Sequence, residues 1–139
     1  VVMGQLAHHK YVRDLSSALE VGRRIPERSV RHEVFQGIGW GMEYRFEKNG
    51  DLEQVQRELA GRPLEERAQI IRGMLWAVEN RIRFVAGLRA KGGEHVRLQR
   101  RLLTLLAFLG DERKRLRADR RTSRSRRGLR SPGERHDRE

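Results

Sequence analysis

The chain matches itself 36 positions apart. Under that shift Arg31, Val34, Phe35, Gly37, Trp40, Glu43 and Arg45 fall on Arg67, Ile70, Ile71, Gly73, Trp76, Glu79 and Arg81. The sequence has only two tryptophans, and both take the same place in the unit. The rest of the unit recurs as well. Asp14-Leu15 is followed by Ala18 and Pro26, and Asp51-Leu52 by Val55 and Pro63. A degenerate first copy opens the chain, with Val1-Val2-Met3-Gly4 opposite Val34-Phe35-Gln36-Gly37 and Tyr11 opposite Tyr44. A period of this length limits the fold sharply: one unit cannot bury its apolar face alone, so neighbouring units must stack and share a core.

Within each unit the apolar spacing is helical. Ala68, Ile71, Leu75, Val78, Ile82 and Val85 recur at steps of three and four over 64–88, and Val30, Val34, Gly37, Gly41 and Tyr44 do so over 27–46. Each of these longer helices follows a proline, which suits a first helical turn. Lys48-Asn49-Gly50 breaks the chain, and Asp51 is placed to cap a shorter helix that reaches about Ala60. Asp14 caps its equivalent, to about Arg24. After Lys91-Gly92-Gly93, the leucines 98, 102, 105, 109 and 116 predict a terminal helix over 94–117 that covers the last apolar face. The expected fold is all-α. Antiparallel helical hairpins stack into a short α-solenoid or bundle over 1–117, and a disordered basic tail fills 118–139. The start in mid-repeat suggests that the domain is incomplete at its N-terminus.

The hairpin of this length, the step from Gly37 to Trp40 and from Gly73 to Trp76, and the prolines Pro26 and Pro63 ahead of those glycines resemble the tetratricopeptide repeat over about residues 1–88. The chain departs from that family after Gly37, where Asn49 and Glu53 stand at the small and aromatic positions of the second helix, so what it resembles is a divergent α-solenoid of this kind. The resemblance implies a protein-binding scaffold whose first helices line a concave groove. Carried over through the glycines, the groove positions are Val34, Ile38 and Met42, then Ile70, Met74 and Val78, with Gly41 and Ala77 beside them. All are apolar, so the implied ligand is an apolar or amphipathic helix. In so short an array the core is the stronger expectation for the same residues.

Charge points elsewhere. The sequence holds 31 Lys+Arg against 19 Asp+Glu, and the excess is uneven. Arg113, Lys114, Arg115, Arg117, Arg120, Arg121, Arg124, Arg126, Arg127 and Arg130 share their stretch with a single acid, Asp119. Such a block is solvated and attracts polyanions without reading sequence. No aromatics are interleaved in it and Thr122-Ser123-Arg124-Ser125 offers no base-reading code, so specific readout is not expected. The chain has no cysteine, and no apolar run reaches the roughly 20 residues that span a bilayer. The N-terminus lacks the pattern of a secretory leader. A cytoplasmic protein without a membrane span is expected.

Candidate chemistry is sparse. Gly37, Gly39 and Gly41 lie inside a helical pattern rather than between strand and helix, so close helix approach accounts for them better than phosphate binding. Trp40 and Trp76 can stack on a nucleic-acid base, but their shared repeat position favours packing between helices. The repeated charges Arg31/Arg67, Glu43/Glu79 and Arg45/Arg81 suggest a ladder of ion pairs. His8, His9, His32, His95 and His136 form none of the helical pairs that hold a metal, and Ser16, Ser17 and Ser29 have no His–Asp arrangement nearby. No catalytic residue, metal or cofactor is expected. The leading expectation is a non-enzymatic protein–protein interaction module that also self-associates. The first alternative is a nucleic-acid-associated protein acting through 97–130. The second is the C-terminal part of a larger enzyme or assembly.

Overall fold

The computed structural model describes residues 14–87 and 93–138, with side chains over 14–87 and 95–122. The first repeat copy, His8, His9 and the Lys91-Gly92 turn lie outside the described residues. All described elements are helices: α1 Leu15–Arg23, α2 Arg28–Asn49, α3 Leu52–Leu59, α4 Leu64–Gly87 and α5 Gly93–Arg138.

The caps act where the sequence places them. The Asp14 carboxylate accepts from Ser16 N at 3.1 Å and from the Ser17 hydroxyl at 2.6 Å. Asp51 accepts from Gln54 N at 3.1 Å. Each satisfies amide donors that the first turn of a helix leaves over. Gly50 ends α2 in the left-handed conformation (φ 63°), and its N–H donates to the Phe46 carbonyl. That conformation is open to glycine at little cost.

The two long helices α2 and α4 lie side by side and run parallel. Arg31 reaches Glu65, Gln36 reaches Gln69 and Arg81 reaches Glu47, so the order of contacts rises along both helices. At their crossing the backbones touch. A methyl group on Gly73 would overlap the Gln36 carbonyl oxygen and lie 2.7 Å from the Gln36 Cα. One on Gly39 would overlap the Ile70 carbonyl oxygen and lie 2.8 Å from Met74 N. Two of the helix-interior glycines are therefore explained by close approach, which offsets their cost of about 1 kcal/mol each in helix propensity. Gly73 packs on the Gln36 peptide carbonyl, immediately ahead of its own repeat counterpart, Gly37.

α5 runs antiparallel to this pair. Arg101 donates to the Glu47 and Lys48 carbonyls at the end of α2, whereas Asp119 meets Arg67 near the start of α4. The seam of Leu102, Leu105, Leu109 and Leu116 is buried, and the last three join the core formed by α2 and α4. α1 adds Ala18 and Leu19 to that core, and α3 adds Val55 and Leu59. α5 continues to Arg138, beyond the end expected near 117. Among the described side chains of α5, which end at 122, the last buried one is Leu116, where the apolar sequence pattern also stops.

Candidate basic groove

Val34, Ile38, Met42, Ile70, Met74 and Val78, the residues expected to line a partner groove, are all at most 1% exposed. They form the seam between α2 and α4 and do not present a surface. The correction has a simple cause: the glycine crossing brings the two helices so close that their facing side chains must fill the space between them.

An open groove of about 1170 Å³ lies elsewhere, among the first turn of α2, the middle of α4 and the segment of α5 around Leu116. Ile71, Leu75 and Leu116 form its apolar floor, and Arg28, Arg72, Arg113, Arg117 and Arg120 stand in its walls. Glu27, His32 and Glu79 also line it. Trp76 occupies one side. Its ring centroid is 5.1 Å from that of Trp40, tilted by 34°, so the tryptophans serve packing between α2 and α4 by meeting each other. Yet Trp76 remains 56% exposed. Packing uses only part of its ring.

Which arginines are neutralised is informative. Arg31 pairs with Glu65 at 2.8 Å, Arg67 with Asp119 at 2.8 Å, Arg81 with Glu47 at 2.7 Å, and Arg45 with Glu58. The repeated arginines thus tie one helix to another, as a ladder requires. Arg23 grips the Glu66 carboxylate with two hydrogen bonds of 2.9 and 3.2 Å, and that pairing raises the arginine's affinity for its proton. The five groove arginines are different: none forms an ion pair among the described residues.

The ten basic residues singled out in the tail separate in the same way. Arg113, Arg117 and Arg120 face the groove, whereas Arg115 pairs with Glu112 at 2.7 Å. Lys114 and Arg121 are exposed. The side chains of Arg124, Arg126, Arg127 and Arg130 lie outside the described ones. Arg28 and Arg72 were not marked by the sequence. Arg72 is one helical turn ahead of Trp76, a spacing that puts both on one face, but its repeat counterpart is Gln36 and repetition does not reveal it.

The repeated glutamates diverge too. Glu79 borders the groove in solvent, while Glu43 is buried beside Glu47. Burial pushes the Glu43 carboxyl up to about 9, helped by the hydrogen bond with Glu47 and that group's charge and opposed by Arg81. Glu43 is therefore a neutral acid at pH 7. Arg31 and His32 meet on Glu65, where the Arg31 hydrogen bond leads in holding that carboxyl below its ordinary range. Among the described residues no three His, Asp or Glu side chains gather in a way that would hold a metal ion, and no helix is long and apolar enough to cross a membrane.

Comparison with known proteins identifies no relative. No protein-family model, curated protein or solved structure matches the chain.

Proposed function

We propose that this chain is a non-enzymatic helical module that associates with nucleic acid through charge, without reading base sequence. The observation that carries this reading is the set of unneutralised arginines, Arg28 and Arg72 from the α2–α4 pair and Arg113, Arg117 and Arg120 from α5, around one open groove. The basic sequence continues along α5 from there. Phosphates that meet such a surface release their counterions, so affinity should fall steeply as salt rises. The test is the affinity for duplex DNA and RNA over a salt series, for the whole chain, for a chain ending at Thr122, and for an Arg113/Arg117/Arg120→Gln variant. Each change should weaken binding and flatten the slope of log K against log salt by about 0.9 per phosphate contact removed. Absence of affinity at low salt, or a slope that neither change alters, would refute the reading.

A second reading is a protein-binding scaffold of stacked hairpins. It is supported by the parallel placement of α2 and α4, with contacts between residues 33 to 34 apart, as consecutive units of a stack would make. Tyr44, Phe84 and Leu103, each about half exposed, would then supply the contacts that the buried seam does not. A defined partner that the chain ending at Thr122 retains after nuclease treatment supports this scaffold. Loss of every partner on nuclease treatment counts against it.

A further inference from the structure

The groove is more than a basic patch, because an exposed tryptophan stands among its arginines. Trp76 rises from α4 one turn after Arg72. Trp40 holds its ring from one side, and more than half of the residue's surface is open. Arg113, Arg117 and Arg120 follow one another on a single face of α5 over about 10 Å of helix. Leu116 lies on that face too and anchors it to the core. A ring fixed by packing and flanked by cations that form no ion pair among the described residues is suited to a ligand with both a π-face and a phosphate backbone.

We infer that the groove binds single-stranded nucleic acid, with a base stacked on Trp76 and the adjoining phosphates on Arg72, Arg113, Arg117 and Arg120. This rests on the nucleic-acid reading above and adds to it the form of the ligand and the position of one base. A duplex keeps its bases stacked on each other and so offers phosphates and base edges but no free π-face. A sulfated polysaccharide offers anions and no π-face. The two glutamates in the wall, Glu27 and Glu79, oppose the phosphates and leave arginine in excess. Selectivity among bases is not expected, since every base has a face that stacks.

The test uses the full chain carrying Trp40→Phe, so that Trp76 is the only tryptophan and can be excited beyond the absorption of the two tyrosines. Titration with an oligothymidylate should quench Trp76, and the same concentration of duplex DNA or heparin should leave it largely unquenched even where it binds. Trp76→Leu should weaken oligothymidylate binding by at least about fivefold, the low end of what one stacked base contributes, with duplex and heparin affinity unchanged. Trp76→Phe, which keeps a ring, should recover most of the loss. Arg113/Arg117/Arg120→Gln should lower the salt slope for the single strand by about 2. Circular dichroism and the thermal midpoint of each variant check that it is folded. If folded Trp76→Leu binds oligothymidylate as the parent does, or heparin quenches Trp76 equally, stacking is wrong while charge-driven association stands. If no polyanion binds at low salt, both readings fall.

Discussion

Gly73→Ala sets two effects of opposite sign against each other. Gly73 lies in the interior of α4, where alanine is the better helix former by about 1 kcal/mol. Its missing side chain faces the α2 backbone, where a methyl would overlap the Gln36 carbonyl oxygen and stand 2.7 Å from the Gln36 carbonyl carbon and Cα. No rotamer can relieve a clash with backbone, so the helices must part by roughly 1 Å. A gap of that size forfeits a quarter to a half of the dispersion energy of the atom pairs across it. Val34, Ile38, Met42, Ile70, Met74 and Val78 all lie along the affected seam. Partial relaxation brings the cost to about 3 kcal/mol, the upper end for an overpacked core. After the propensity gain, a net loss of about 2 kcal/mol remains, or roughly 10 °C in the unfolding midpoint of a domain this size. Gly110→Ala is the control: Gly110 is also interior to a helix, and a methyl there meets nothing within 4 Å. That change should stabilise by about 0.5–1 kcal/mol. Urea unfolding followed by circular dichroism and tryptophan fluorescence reads both. If Gly73→Ala proves as stable as the parent, or shifts in the same direction as Gly110→Ala, the backbone-contact account of the crossing is wrong.

Three further outcomes follow from the same geometry. Glu43 is protonated in the folded chain up to about pH 9, whereas the unfolded side chain ionises near 4.5, so its contribution to stability is complete below about pH 4.5 and declines as pH climbs toward 9. Glu43→Gln should therefore flatten the fall in unfolding midpoint between pH 5 and 9, measured against the parent. Removing Arg23 leaves the buried Glu66 carboxylate without its bidentate partner. Arg23→Met should cost about 1–2 kcal/mol, discounted because Arg23 is itself partly exposed, and Glu66→Gln in the same chain should restore part of it in a double-mutant cycle. Glu79 stands in the groove wall without an ion-pair partner among the described residues. Glu79→Gln should tighten oligonucleotide binding by about two- to fivefold at low salt, an effect that disappears at high salt.

The sequence made the packing legible and hid the surface, for one physical reason. Period and capping are local rules, so the helix bounds at Asp14, Asp51 and Gly50 and the leucine seam ending at Leu116 could be read from residue type and spacing alone. How tightly α2 and α4 approach depends on which glycine meets which turn. Gly73 meets Gln36 and Gly39 meets Ile70, a stagger that matching Gly37 to Gly73 does not reveal. The close approach leaves the six groove positions in the core, the place that so short an array favours for them.

Where the two copies agree, the side chains mostly hold the copies together: Arg31 and Arg67 each reach the next long helix, and the aligned tryptophans meet each other. Where the copies differ, in residue type or only in surroundings, one of them faces something other than its neighbour. Gln36 bonds to Gln69 within the α2–α4 seam, while its counterpart Arg72 opens onto the groove. Glu43 is buried and protonated, while Glu79 stands in solvent among arginines. Trp40 is partly covered, while Trp76 is mostly open. A repeat spends its shared residues on stacking because every copy must stack. The groove lies where α4 meets α5 instead of another copy of itself, so that even the shared types at Trp76 and Glu79 are left open there, beside the departure at Arg72. That is why Arg72, Trp76 and Glu79, and not the buried members of the repeat, are the positions at which substitution should alter binding while leaving the core intact.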